Sequence, residues 1–323
     1  MSNGTPWDNI PAPKSDFTVV RVNEAKGIPI YWGRDTEGHC LLILVLEGDL
    51  TTEYRSGFVP LNGVDIDLRN GSMTGEQRLI LTLARHIDHD LFLSLCRTLI
   101  DSLSVINESG VALAVTFTHL KRWKVFLSGR NAKLLSPEQV RGLFGELSVL
   151  RILFQNTLSK AAAISAWCGP EFAHQDFIFG DRAIEVKSLS GKERSAVIIS
   201  SEDQLESITS NLFLVIQQVV ETQTTEQSLS LNSLVSLIDR ELTDNHVIDE
   251  LWNKLANVGY TPLPEYDNPG FTVTGLRCYR VSTDFPKLIR SELPHGITTV
   301  SYSINLENIE PFSCPSEIIF ART

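Results

Sequence analysis

Residues 174–187 of the chain read His-Gln-Asp-Phe-Ile-Phe-Gly-Asp-Arg-Ala-Ile-Glu-Val-Lys. The pair Gly180-Asp181 is typical of a two-residue turn between antiparallel strands, because glycine tolerates the backbone angles that such a turn needs. With that turn, Asp176 lies opposite Glu185, and directly opposed residues have Cβ atoms about 4.5–5.5 Å apart. Lys187 shares the face of Glu185, since strand side chains repeat every two residues. The sequence therefore predicts a β-hairpin that brings two carboxylates and one ammonium group together.

This group of charges has two interpretations that the spacing leaves open. Two unpartnered carboxylates repel each other, and Mg²⁺ removes that repulsion because it commonly binds one or two carboxylates together with substrate phosphate. A lysine beside the cation orients or helps to deprotonate a water molecule, or stabilises charge on the phosphate. The same residues also fit an exposed, salt-bridged sheet face. The apolar neighbours Phe177, Ile184 and Val186 favour a central hairpin.

Two polar residues outside the hairpin are candidates for the same site. A capping box that begins at Ser136, with Pro137 at the first helical position, predicts a long helix with an apolar stripe. Glu146 lies on that helix, at the edge of the stripe. Gln204 follows a third predicted strand, residues 196–199, from which its side chain reaches toward the hairpin.

The stretch from residue 135 to residue 206 resembles the PD-(D/E)XK nuclease superfamily, which has the restriction-endonuclease-like fold. It is more closely similar to bacterial PD-(D/E)XK members that are often encoded near restriction-modification and phage-defence genes. The resemblance rests on Gly-Leu-Phe-Gly-Glu-Leu at 142–147, Trp-Cys-Gly-Pro at 167–170, Asp176 with Glu-Val-Lys at 185–187, and Ile-Ser-Ser-Glu-Asp-Gln-Leu at 199–205.

The resemblance implies a role for each candidate residue and a fold for the chain. Asp176 and Glu185 match the metal ligands, Glu146 matches the helix glutamate that assists the metal site, Lys187 matches the catalytic lysine, and Gln204 matches the downstream glutamine. Gln175 stands where the name-giving proline would be, a position that varies in the superfamily. The implied cofactor is Mg²⁺, with Mn²⁺ as a substitute, and the implied partner is DNA. The implied fold is α/β, with a restriction-endonuclease-like core whose central mixed β-sheet is flanked by helices.

The rest of the chain is organised around this core. Short strand-like runs punctuated by glycines fill the first third and predict an N-terminal α+β domain over residues 1–130, whose role is unknown. Residues 131–323 are predicted to form the nuclease-like domain. Residues 111–118 alternate larger and smaller side chains, which favours a strand.

Composition restricts the class of protein. The chain has 323 residues, 42% of them hydrophobic and 21% charged, which excludes a mainly disordered chain. A net charge of −11 disfavours nonspecific coating of nucleic acid. Residues 117–160 nevertheless hold eight lysines and arginines against two glutamates, so they form either a DNA-contacting surface or a solvated basic face.

Location in the cell is predicted from two further features. The five cysteines are scattered without metal-binding spacing, which fits reduced thiols in the cytoplasm. No signal peptide and no apolar run of about 20 residues is visible, so no membrane association is expected.

Three functions follow from these observations. The first is a Mg²⁺-dependent DNA endonuclease, a phosphodiester hydrolase of a restriction or phage-defence system. The alternative is a catalytically inactive DNA-binding or assembly subunit of such a system, since a fold does not determine activity. The third is a structural scaffold that binds no metal. Other subunits of the system are candidate partners, and a homodimer would match the twofold symmetry of DNA.

Overall fold

The computed structural model describes residues 5–23, 25–61, 63–84, 89–128, 134–171, 173–191, 195–206, 209–223, 228–297 and 299–321. The chain divides into two compact units. Unit 1 is Met1–Ala132 with Thr261–Pro264, and unit 2 is Lys133–Tyr260 with Glu265–Thr323. Separate domains over residues 1–130 and 131–323 stay a prediction, because compactness alone does not show that each part folds independently.

Unit 1 contains a five-stranded antiparallel sheet in the order β1-β2-β3-β5-β4. Its strands are β1 (Phe17–Arg21), β2 (Ile30–Asp35), β3 (Cys40–Glu47), β4 (Val64–Asn70) and β5 (Glu76–Leu83). Its helices are α1 (Thr51–Gly57), α2 (His89–Leu103) and α3 (Ser109–Ser128).

The strand predicted over residues 111–118 is wrong, because these residues lie inside helix α3. The buried positions follow the helical period: Ala112 and Leu113, then Thr116 and Phe117, are buried, whereas Ala114 is exposed. Small residues such as alanine and threonine occupy buried positions here. The alternation of side-chain size therefore did not predict which residues face the core.

Unit 2 is built on a second five-stranded sheet, in the order β12-β10-β9-β7-β6. Strands β7 and β9 are parallel and the other neighbours are antiparallel, so the predicted mixed sheet is confirmed. The helices are α4 (Pro137–Asn156), α5 (Lys160–Ala166), α6 (Leu231–Glu241), α7 (Asn245–Asn257), α8 (Leu306–Ile309) and α9 (Glu317–Phe320). The strands of this sheet are β6 (Phe177–Phe179), β7 (Arg182–Ser190), β9 (Asn211–Thr222), β10 (Gly270–Arg280) and β12 (Ser313–Cys314). A separate two-stranded sheet is formed by β8 (Ala196–Ile199) and β11 (Tyr302–Asn305).

The predicted hairpin is present in the expected register. Phe179 pairs with Arg182 across the turn, and Phe177 pairs with Ile184. Gly180 has φ +55°, a left-handed conformation that glycine adopts without steric cost. Both faces of β7 are buried: Ala183 and Leu189 belong to one apolar cluster, and Ile184 and Val186 are buried on the opposite face. The hairpin is therefore not a solvated sheet face: β7 is an inner strand that is buried on both sides, and β6 is the last strand of the sheet.

Helix α4 begins as the sequence predicts. The Ser136 side chain accepts a hydrogen bond from the Gln139 N–H, and the capping box is complete. The apolar stripe of α4 is buried, and its middle lies close to the sheet at Gly145. A Cβ at Gly145 would lie 1.9 Å from Ser188 Oγ and 3.2 Å from Ser188 Cβ, and the Gly145 carbonyl accepts a hydrogen bond from Gln217 Nε2 at 3.1 Å. Because glycine has no side chain, α4 can approach β7 and β9 closely at Gly145.

In the described residues, no helix combines the length and the apolar character that crossing a bilayer requires.

We predict opposite effects on stability from two glycine-to-alanine substitutions on α4. Gly145→Ala lowers the free energy of unfolding by about 1–3 kcal/mol, because the new methyl group overlaps Ser188. Gly142→Ala is the matched control and raises it by up to about 1 kcal/mol, because open space surrounds that position and alanine favours the helix. Chemical denaturation measures both, and Ser188→Ala in the Gly145→Ala background should recover part of the loss. Equal effects of the two substitutions would contradict the close approach.

Candidate active site

Strand β7 buries an ion pair at the centre of unit 2. Glu185 is 1% exposed, and its Oε1 lies 2.9 Å from Lys187 Nζ. The two side chains share one face of the strand, as the period of two requires. A buried carboxylate is costly unless it is paired and hydrogen-bonded, so Lys187 offsets part of the desolvation of Glu185.

Gln204 lies beside Lys187, in the 3₁₀ turn Glu202–Leu205 that follows β8. Its Oε1 accepts hydrogen bonds from Lys187 Nζ at 3.0 Å and from the Ser200 N–H at 2.8 Å. The Ser200 bond fixes the direction of the amide. Gln204 therefore bonds the lysine ammonium to the turn that follows β8.

Asp176 immediately precedes β6. The pairing of β6 with β7 ends at Phe177 and Ile184, so the predicted strand pair of Asp176 with Glu185 does not form. The Asp176 carbonyl instead accepts hydrogen bonds from the N–H groups of Cys168 and Gly169, at 2.8 and 3.1 Å. Its side chain nevertheless reaches β7, because Oδ2 accepts a hydrogen bond from the Val186 N–H at 2.7 Å. The carboxylate thus lies against the strand that carries Glu185.

Helix α4 supplies the third carboxylate, Glu146. Its Oε2 accepts a hydrogen bond from Trp167 Nε1 at 2.8 Å. Gly169 separates Glu146 from Asp176: a Cβ there would lie 3.1 Å from both Glu146 Oε2 and Asp176 Oδ1. The absence of a side chain at Gly169 lets the two carboxylates approach the same backbone.

The three carboxyl groups have raised pKa values. Burial raises the pKa of Asp176 to about 6, although the Val186 N–H and the Lys187 ammonium oppose the shift. Burial and the negative charge of Asp176 raise the pKa of Glu185 to about 8, against the effect of Lys187. Burial and the charge of Asp176 also raise the pKa of Glu146 well above its usual range. The charge of Asp176 thus disfavours the ionised forms of both glutamates.

The chemistry of this donor set fits a hard divalent cation. Glu185 Oε2 is buried and has no hydrogen-bond partner in the described part of the chain, so one carboxylate oxygen is unsatisfied. No three His, Cys, Asp or Glu side chains of the described residues are arranged to enclose a metal ion together. Mg²⁺ tolerates this arrangement, because it usually keeps several waters and takes one or two protein carboxylates.

The structure brings together all five residues that the sequence singled out, and it adds two that the sequence analysis named without giving them a role in the site. Trp167 donates to Glu146, and Gln175 is buried with its Nε2 donating to the carbonyls of Asp203, Gln204 and Glu206 at 3.0–3.3 Å. Gln175 therefore ties the backbone next to Asp176 to the turn that carries Gln204. Its position beside Asp176 was the available signal, but its hydrogen-bond partners lie about 30 residues away.

We predict that the site makes the metal-free protein less stable as pH rises. The folded carboxyl groups hold protons more tightly than the unfolded ones, so their contribution to the free energy of unfolding falls between the ordinary glutamate pKa of 4.5 and about pH 8. The expected loss is on the order of a few kcal/mol, measured by denaturation in a chelator. Mn²⁺ affinity should rise over the same range, since binding displaces protons.

Glu185→Gln is the matched variant, because it keeps the shape of the side chain and cannot ionise. Its pH dependence of unfolding should be weaker than that of the wild type. An identical pH dependence in the two proteins would show that Glu185 has an ordinary pKa.

Comparison with known proteins agrees with this geometry. No curated protein and no solved structure shows a significant match to the chain. A family model described as "Putative PD-(D/E)XK family member, (DUF4420)" matches residues 4–307, which is nearly the whole chain and includes every residue of the site. The superfamily resemblance found from the sequence is therefore confirmed, and the chain belongs to this family of PD-(D/E)XK members.

Proposed function

We propose that the protein is a Mg²⁺-dependent DNA endonuclease that hydrolyses phosphodiester bonds, with Mn²⁺ able to replace Mg²⁺. The observation that supports this most is the state of Glu185, which has one oxygen on Lys187 and a second, buried oxygen that no described residue bonds. An unsatisfied buried carboxylate oxygen costs stability, so a ligand for it is expected. A cation is the natural ligand, because Asp176 and Glu146 add negative charge beside it.

Each residue of the site has a separate proposed role in hydrolysis. Asp176 and Glu185 would hold the cation and Glu146 would support it, and the cation would supply Lewis-acid stabilisation of charge on the phosphate and a lower pKa for a bound water. Lys187 presents an ammonium group that donates to a water or a phosphate oxygen near Glu185. Gln204 keeps that ammonium in position through its hydrogen bond, and Ser200 keeps Gln204 in position.

The proposed role is in a restriction or phage-defence system, which the resemblance to bacterial PD-(D/E)XK members supports. The proposed substrate is DNA in the cytoplasm. Other subunits of such a system are proposed partners, and a homodimer would allow two active sites to cut the two strands.

A second candidate function is a noncatalytic DNA-binding or assembly subunit. One observation favours the assembly role over the DNA-binding one: basic residues of α4 and α5 are engaged within the protein. Arg141 lies 3.4 Å from Glu221, Arg151 lies 3.1 Å from Glu241, and Lys160 Nζ donates to the Glu241 carbonyl. Arg130 and Lys133 lie outside the described residues. Basic groups that are paired with acids offer less to a DNA backbone than free ones do.

We predict that Asp176→Asn and Lys187→Ala each reduce cleavage of supercoiled plasmid and linear phage DNA by at least about a hundredfold in Mg²⁺ or Mn²⁺. Asp176→Asn removes a charge that would hold the cation, and Lys187→Ala removes one that would act on a water or a phosphate oxygen. Both variants are expected to fold. Matched controls are Asp181→Asn, on the exposed hairpin turn where Asp181 accepts a hydrogen bond from Asn211 at 2.7 Å, and Lys14→Ala, at an exposed lysine of unit 1. Both controls should cleave as the wild type does.

Retained cleavage in both site variants would refute the assignment. The second candidate function predicts a different result: DNA or partner binding without cleavage in either metal, and an affinity that survives Glu185→Ala. A scaffold protein would bind no Mn²⁺ at all, which a binding isotherm on the full chain would show.

A further inference from the structure

Lys254 is a buried cation that the proposed reaction does not use. It lies on α7 and is 4% exposed. Its Nζ donates to the Trp167 carbonyl at 2.7 Å and to the Ser165 carbonyl at 3.3 Å. Glu171 and Glu250 balance its charge, with oxygens at 3.5 and 3.6 Å. A buried ammonium is costly without such contacts, so these partners hold it in one place.

The main chain that Lys254 bonds leads directly to the residues that contact Glu146 and Asp176. We define residues 167–169 as the bridging segment. Its first residue donates from the indole to Glu146 Oε2 at 2.8 Å, and its second and third residues donate from their N–H groups to the Asp176 carbonyl. One short segment therefore bonds both the carboxylate of Glu146 and the backbone of Asp176.

The fit around the bridging segment leaves little freedom. At Gly169 the two carboxylate oxygens already lie at 3.1 Å from the position of a Cβ. A shift of the segment by a few tenths of an ångström would change the distance from Glu146 to Asp176. It would also move the indole that orients Glu146.

We propose that Lys254 is a positioning residue for the acidic site: by binding the Trp167 carbonyl, it holds the bridging segment in the place where that segment orients Glu146 and Asp176. Lys254 acts through the backbone. The inference rests on the proposed function only where it concerns metal binding, because the contacts themselves are independent of any ligand. A purely structural Lys254 would instead affect the packing of α7 and leave the site geometry unchanged.

The test compares Lys254→Met with Trp252→Phe in the full-length protein. Trp252 is on the same helix, and its substitution removes a 2.7 Å hydrogen bond from the indole to Asp239, a residue outside the bridging segment. Two quantities are measured: the Mn²⁺ dissociation constant, and the indole ¹H–¹⁵N resonance of Trp167 in metal-free protein, assigned with Trp167→Phe. Thermal melting of each variant gives the loss of stability for comparison.

Lys254→Met is expected to weaken Mn²⁺ binding about tenfold or more, the usual effect of losing a group that orients metal ligands. It should also shift the Trp167 indole resonance. Trp252→Phe should leave both quantities unchanged, even at an equal loss of thermal stability. If Lys254→Met melts earlier but keeps the wild-type Mn²⁺ affinity and Trp167 resonance, the proposal is overturned.

Two further outcomes are also decisive. Should Lys254→Met fail to fold, Lys254→Gln replaces it, because glutamine keeps a polar group but is too short to reach the carbonyl. Weaker Mn²⁺ binding and a shifted Trp167 resonance are again expected, and wild-type values of both would again overturn the proposal. Should the wild type bind no Mn²⁺, the proposed metal-dependent function fails, while the Trp167 resonance in metal-free protein still decides whether Lys254 positions the bridging segment.

Discussion

The burial of Glu185 beside Lys187 is the constraint on which the rest of unit 2 depends. A carboxylate buried on an inner strand of a mixed sheet loses its hydration, and one lysine replaces only part of it. The surrounding elements place two further carboxylates nearby, which increases the repulsion. A fold that only maximised stability would place apolar residues here. The concentration of carboxyl groups with raised pKa values in one buried region supports the proposal that this site binds a ligand.

The neighbouring elements are arranged to hold these carboxylates, each by a different means. Helix α4 reaches the sheet because Gly145 has no side chain to keep it away from Ser188. The bridging segment holds Asp176 through backbone N–H groups and Glu146 through the Trp167 indole. Gln175 joins the start of β6 to the turn that carries Gln204. Backbone and amide hydrogen bonds thus fix the charged groups without adding further charge to the site.

Much of this site could be predicted from sequence, and the reasons are local. The register of the hairpin followed from Gly180-Asp181, and the start of α4 followed from the capping box at Ser136. The errors arose where a local pattern was ambiguous. Residues 111–118 alternate in size and yet form part of α3, because small side chains are buried on that helix. Likewise Asp176 was expected to pair with Glu185, but a bond to residues 168 and 169 replaces that pairing.

The sequence by itself determined the hairpin, the helix that carries Glu146, the mixed α/β fold and the identity of the five candidate residues. These depend on side-chain periodicity and on hydrogen bonds between residues close in the chain. Only the tertiary structure decided how deeply Glu185 is buried and how far the carboxyl pKa values rise. It alone also showed that Lys254 bonds the bridging segment at Trp167, some 87 residues away in the chain. Desolvation and through-space distance are properties of packed neighbours from distant parts of the chain, and no local pattern encodes them.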